Sequence, residues 1–220
     1  MRKSRPPLKS NWHLIGSQKG DTRLAYYGIA IYKKGEVRVV LKQSVHIGSG
    51  FNSLKNFLVN NQLQTLAAFL AKDFSKFTTK FDFPKLDFIV TKVIQWKNTI
   101  EPRYMSMEKL LNGKFMKFNT NNGWVNSEPT RPNLILQAFS YWTYHITKGT
   151  LLVVDLQGIL PHGGNLDTVK KFVLTDPAIH HKELHKFGPT NCGVTGMGWF
   201  FKTHVCNKFC EQLGITKSRP

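Results

Sequence analysis

The run Thr203-His204-Val205-Cys206-Asn207-Lys208-Phe209-Cys210 constrains this chain more than any other stretch. Two cysteines four apart, with a histidine two residues ahead of the first, place thiolate and imidazole, the ligands zinc prefers, within a short length of chain. On an unbroken helix Cys206 and Cys210 share a face while His204 points elsewhere. All three meet one ion only if the helix starts late or distorts. The same residues also read as two buried thiols beside a hydrogen-bonded histidine, and a structural zinc site wants a fourth ligand that the run does not supply. With Cys192 the chain holds three cysteines, which close no disulfide framework. That usage, and a basic N-terminus with no apolar stretch behind it, lead to the expectation of a reducing compartment, cytoplasmic with the nucleus as an alternative.

The rest of the composition bounds the fold. The chain has 220 residues, 41% of them hydrophobic and 16 of them Phe, enough for one large domain or two joined lobes with a real core. No apolar stretch approaches the length that crosses a bilayer, so no membrane partner is expected. Thirty-one Lys and Arg against thirteen Asp and Glu give a net charge of +18. Such a field attracts anions: nucleotide, acidic protein or nucleic acid. It is equally compatible with a basic surface that has no specific partner.

Periodicity supplies a coarse order of elements. Residues 1–11, basic and carrying Pro6-Pro7, read as a loose arm. Residues 24–32 and 37–42 are β-rich and joined by Lys33-Lys34-Gly35-Glu36, which predicts a hairpin. Ser53 caps a predicted helix whose apolar residues Leu54, Phe57, Leu58, Leu63, Leu66, Ala67 and Leu70 follow helical spacing. Strands are expected over 88–96, 114–119 and 150–156, and helices over 134–146 and from about 196 to 213. Strands, a helix, more strands, then helix and mixed elements predict an α+β protein with two lobes, about 12–111 and about 112–220.

Three further clusters carry possible chemistry. Asp155-Leu156-Gln157-Gly158 ends an apolar strand, and Asp176 follows in Leu174-Thr175-Asp176-Pro177. Carboxylate and amide oxygens suit Mg²⁺, which takes oxygen ligands, although Asp before Gly or Pro is also ordinary turn chemistry. Lys42 closes the apolar strand Val39-Val40-Leu41, where a lysine can hold nucleotide phosphates or simply meet solvent at an edge. Gly188-Pro189-Thr190-Asn191-Cys192-Gly193-Val194-Thr195-Gly196 opens the last predicted helix, with glycines that permit tight turns.

Whole phrases in order then carry a resemblance: Gly113–Asn119 (GKFMKFN), Ala138-Phe139-Ser140, VVDLQG at 153–158, LTDPAIH at 174–180, FGPTNCGVTGM at 187–197 and FFKTHVCNKFC at 200–210. The chain resembles the alpha-kinase family of atypical protein kinases, most closely from about residue 105 to 215. That resemblance implies a two-lobed atypical kinase fold with an ATP cleft between lobes, serine/threonine phosphorylation of a protein partner, Mg²⁺, and a structural zinc in the C-terminal lobe. It implies that Lys42 and Arg23 bind nucleotide phosphates and that Glu108 meets adenine at the hinge. Asp155 would orient or deprotonate the substrate hydroxyl, Gln157 and Asp176 would bind the metal, and Asn191, Gly193 and Gly196 would form the substrate loop. Zinc would be held by His204, Cys206 and Cys210. The family's remaining zinc histidine falls at Tyr141 here, which leaves the Tyr141 hydroxyl, water or His145 as the fourth ligand. The family also pairs its lysine with a glutamate on the following helix, yet residues 43–72 contain no Asp or Glu. The competing readings are a pseudokinase and a basic zinc module that binds nucleic acid; the latter has no recognisable base-reading motif.

Overall fold

The computed structural model describes residues 12–19, 23–46, 51–96, 103–160 and 168–215. The expected arm over residues 1–11 lies outside them. In chain order the elements are β1 (Trp12–Lys19), β2 (Arg23–Tyr32), β3 (Gly35–Ser44), α1 (Leu54–Phe77) with a short 3-10 turn after it, β4 (Lys85–Phe88), β5 (Thr91–Trp96), β6 (Arg103–Lys109), β7 (Lys114–Lys117), α2 (Arg131–Ile146), β8 (Leu151–Val154), β9 (Gln157–Leu160), β10 (Lys171–Thr175), β11 (Ala178–His181), α3 (Gly193–Thr203) and α4 (Lys208–Gln212). Helices and largely antiparallel sheets, segregated along the chain, make the α+β class that the sequence predicts.

Two compact units divide the residues. The first holds residues 1–57 and 91–110, the second 58–90 and 111–220. The assignment of 58–90 differs from the simple split at residue 112, and the reason is packing. The apolar stripe Leu63, Ala67, Leu70 and Phe74 of α1 belongs to the same buried core as Ile135, Phe139 and Trp142 of α2. Phe74 meets Phe139 and Trp142 edge-on, each at 5.2 Å between ring centres, contacts of a kind that contribute ~0.5–1.5 kcal/mol beyond area burial.

The first unit is a five-stranded sheet in the order β1-β2-β3-β6-β5. The expected hairpin is β2 and β3, paired from Arg23↔Ser44 to Tyr32↔Gly35 across Lys33-Lys34. Its small core is Ala30, Val39, Leu41 and Met107. Val39 to Lys42 are buried at every position, so both faces of β3 are covered there.

The second unit contains a four-stranded sheet, β4-β10-β9-β7, and a two-stranded one, β11-β8. The strand expected over 88–96 is two strands: β4 pairs in parallel with β10, while β5 pairs with β6 in the first unit. Ile89 makes the break, its N–H donating to the Leu174 carbonyl and its own carbonyl accepting from Gln64. Strong apolar character runs through both pieces, so periodicity alone cannot show the division. Gly158 allows β9 to lie against β10, since a Cβ there would sit 2.2 Å from the Val173 carbonyl oxygen.

The last helix also differs from the expectation. It stops at Thr203, resumes at Lys208, and is extended at His204. Asn207 caps the resumed helix by accepting from the Phe209 N–H at 2.9 Å. This interruption is the distortion that a shared site for His204, Cys206 and Cys210 requires.

Candidate active site

Lys42 and Glu108 meet on the first unit's sheet. β3 and β6 are antiparallel with Val40 opposite Glu108 and Lys42 opposite Ser106. Lys42 and Glu108 are therefore diagonal neighbours on one face, within reach of long side chains. Lys42 Nζ lies 2.5 Å from Glu108 Oε1, and both side chains are nearly buried at 11% and 6% exposure. This corrects the expectation that the lysine lacks a carboxylate: the partner comes from β6, not from the helix that follows β3. Arg23 opens β2 opposite Ser44 in the same sheet.

In the second unit, Asp155 and Leu156 join β8 to β9. Asp155 has φ +56 and Asp176 has φ +47, the left-handed region that costs a non-glycine residue ~1–3 kcal/mol unless its surroundings enforce it. Such strain concentrates at functional sites. The Asp155 carboxylate receives Lys117 Nζ at 3.1 Å. Lys117 stands opposite Gln157 in the β7–β9 pairing, two positions along from Asp155. The Gln157 amide nitrogen donates to the Asp176 carbonyl at 3.2 Å, which leaves its amide oxygen for another partner. Asp155 and Gln157 thus lie two residues apart where β8 passes to β9, and Gln157 is tied to the Asp176 turn; carboxylate and amide oxygens are the donor types Mg²⁺ takes. Lys117 was not singled out from sequence. Its signal was weak, because a lysine ending a short strand is ordinary until the register across β7 and β9 is known.

The glycine-rich segment is built around two buried side chains. Asn191 accepts from the N–H groups of His181 and Gly193, both at 2.9 Å, and donates to the carbonyls of Glu183 and Lys186 at 2.9 and 3.0 Å. Its amide is spent on shaping the loop. His180 takes the Cys192 N–H on Nδ1 at 3.1 Å and sits 2.9 Å from the Asn121 carbonyl through Nε2. That pattern fixes a neutral ring protonated at Nε2. Gly196 lies against the ring: a Cβ there would be 2.5 Å from it.

Burial pushes the His180 pKa below its ordinary value of 6.5, with the Asn121 contact opposing. Its stabilising contribution is complete above the unfolded value and is lost as pH falls below it. His181 shifts the same way, chiefly by burial. Thermal unfolding is therefore expected to move to lower temperature as pH falls below 6.5, with His180 staying the neutral Nε2–H tautomer to a lower pH than a free histidine by ¹⁵N NMR. A ring that takes up its proton at or above pH 6.5 would contradict the assignment.

At the α3–α4 break, the ligand atoms of His204, Cys206 and Cys210 all lie within 4.8 Å of one another. His204 Nε2 is 3.9 Å from Cys206 Sγ and 3.8 Å from Cys210 Sγ. Tetrahedral zinc with ordinary bond lengths separates such nitrogen and sulfur ligands by about 3.6 Å, so the three fit the ion. Tyr141 is buried with its ring 5.0 Å from the His204 ring. His145 is exposed near the end of α2 and is not one of the grouped ligands. Burial pushes the Cys210 thiol up to about 12, so metal binding there must release a proton.

With this geometry in place, the sequence pattern described as the alpha-kinase family matches residues 18–210. The chain belongs to the alpha-kinase family. Among similar curated proteins, alpha-protein kinase vwkA of Dictyostelium discoideum is 40% identical over 198 residues, which are 90% of this chain and 30% of that protein. Eukaryotic elongation factor 2 kinase of Homo sapiens is 35% identical over 131 residues, 60% of this chain and 16% of that protein. The chain spans under a third of the length of these relatives. An alpha-kinase from Entamoeba histolytica superposes with a TM-score of 0.75 at 30% identity, covering 96% of this chain and 80% of that one. The alpha-kinase domain of myosin-II heavy chain kinase A in complex with AMP-PNP gives 0.76 at 23% identity, covering 93% and 88%, a likeness of fold. Members of the family are protein kinases, and this alpha-kinase domain has their fold.

Proposed function

We propose that this domain is an ATP-dependent serine/threonine kinase that passes the γ-phosphoryl group to a protein hydroxyl. The observation that carries the reading is the β8–β9 junction, where Lys117 is paired to Asp155 and Gln157 is bonded to the Asp176 backbone. Phosphoryl transfer needs positioning and charge neutralisation more than covalent help, and this set provides both. Asp155 orients the acceptor hydroxyl and takes its proton. Lys117 fixes the Asp155 carboxylate. Gln157 and Asp176 would hold Mg²⁺, which would supply charge neutralisation to the phosphoryl group. Lys42 and Arg23 bind the nucleotide phosphates, and Glu108 orients Lys42 and serves the adenine side. Asn191, Gly193 and Gly196 shape the loop that receives the substrate peptide. Glu108 gives Lys42 the carboxylate that the following helix does not supply, which supports the kinase reading over a pseudokinase.

The net charge of +18 favours an acidic protein partner over a basic one, and the three unpaired thiols suit a reducing, cytoplasmic setting. Purified chain with labelled ATP and Mg²⁺ should phosphorylate casein, an acidic protein, in preference to myelin basic protein, on Ser or Thr, with the preference shrinking at high salt. ATP binding with no label on either protein would leave the pseudokinase.

His204, Cys206 and Cys210 are assigned to a structural zinc completed by water or the Tyr141 hydroxyl, which would tie the α3–α4 break to α2. Elemental analysis should find about one zinc per chain, lost in Cys206→Ser and kept in His145→Ala. Zinc-free wild type would end the assignment, and loss in His145→Ala would move the fourth ligand to His145.

A further inference from the structure

The two-residue connector that carries Asp155 lies between strands of different sheets, so Leu156 has no ladder to satisfy its backbone. Buried backbone groups must nevertheless find partners. Leu156, itself fully buried, finds them at the end of β7. Its carbonyl accepts from the Phe118 N–H at 2.8 Å, and its N–H donates to the side-chain oxygen of Asn119 at 2.9 Å. One residue of the connector is thus gripped from both sides by two consecutive residues.

The grip is anchored in the core. Asn119 is 1% exposed. Its amide nitrogen donates to Gln137 Oε1 and to Ser140 Oγ, both at 3.1 Å. Gln137 in turn donates to the Phe118 carbonyl at 3.0 Å, the same carbonyl that accepts from the Asn126 N–H at 2.9 Å. The amide orientations are forced. Leu156 can only donate, so it must face the Asn119 oxygen. The Phe118 carbonyl can only accept, so it must face the Gln137 nitrogen, which leaves the two remaining amide atoms facing each other as donor and acceptor. A buried polar network satisfied in this way is rigid and specifies one arrangement.

We infer that Asn119 is a positioning residue for Asp155. It holds the Leu156 N–H so that Asp155 stays in its left-handed backbone conformation, with the carboxylate placed against Lys117. Without that acceptor the strain at Asp155 can relax by rotating the peptide that follows it, and the carboxylate moves. The inference rests on Asp155 acting as proposed above. A displacement of about 1 Å in a reacting group costs ~10²-fold in rate.

The test compares Asn119→Ala, Asn119→Asp and Ile135→Val in the full chain, with steady-state kinetics and amide exchange at Leu156. Asn119→Ala should lower kcat ~10²-fold with KM for ATP unchanged, and should speed Leu156 exchange. Asn119→Asp should restore most of kcat, since either protonation state of the new carboxyl keeps an acceptor for Leu156. Ile135→Val, a core truncation outside the network, should lower the Tm and leave kcat intact. Should the alanine variant not fold, Asn119→Ser takes its place, because its hydroxyl sits a bond short of the amide oxygen. Full kcat in the folded alanine or serine variant, or an aspartate variant as slow as alanine, would overturn the inference. If wild type transfers no phosphate, the kinase reading fails by itself. The exchange rate at Leu156 then still decides whether Asn119 holds the connector, and an unchanged rate overturns it.

Discussion

Asp155→Asn should reduce phosphoryl transfer by ~10²–10⁴-fold, the usual worth of a positioned general base or orienting group, while ATP binding persists. The substitution keeps size and shape but removes the charge that Lys117 holds at 3.1 Å. It also removes the site that accepts the substrate's proton. Asparagine tolerates the left-handed backbone as well as aspartate does, so the fold at φ +56 is preserved and the loss is chemical. Single-turnover transfer and nucleotide titration, run on the same preparation, separate the two effects. Near-normal turnover would remove Asp155 from the chemistry.

Glu108→Ala should destabilise the first unit by about 3–5 kcal/mol, because it leaves the buried Lys42 ammonium without its carboxylate. Replacing both partners, Lys42→Met with Glu108→Leu, should recover much of that loss, since an apolar pair of similar volume is often no worse than a buried ion pair. Nucleotide affinity should not recover in the double variant, because the phosphate-binding charge is gone. Denaturant unfolding of Lys42→Met, Glu108→Leu and the double variant gives the coupling directly. A Glu108→Ala protein as stable as wild type would mean that the pair is solvated.

Much of the second unit's order of elements was legible in the sequence. The phrases around Asp155, Asp176 and the C-terminal cysteines are local, but residue type and spacing alone left turn chemistry and buried thiols open, and it is the resemblance to the alpha-kinase family that assigned them roles. The hairpin of β2 and β3 was visible because turn and alternation are local as well. What escaped was register. Lys42 and Glu108 are separated by more than sixty residues, and only the β3–β6 pairing makes them neighbours. Lys117 acquires its meaning only through β9. The helix expected to run on to residue 213 breaks at His204 because the cluster and the Asn207 cap outweigh helix propensity there. The parallel pairing of β4 with β10 joins segments some eighty residues apart, and no periodicity in either announces it.

The division of the chain has a consequence for how such a domain can be made. The boundary between the units is crossed after residue 57, after residue 90 and after residue 110, so neither unit is a continuous stretch of polypeptide. A ribosome that has released residues 1–110 has produced Leu63, Ala67, Leu70 and Phe74 long before Ile135, Phe139 and Trp142 exist to cover them. Residue 85 likewise waits for residue 171 before β4 has its strand partner. Contacts of such long sequence separation form late and slowly, and an apolar helix left waiting invites association with other chains. A cut at residue 110, the obvious place to separate two lobes, therefore leaves the first unit's core intact in the N-terminal fragment but strands Leu63, Ala67, Leu70, Ala71, Phe74, Leu86 and Phe88 there, away from the rest of the second unit's core.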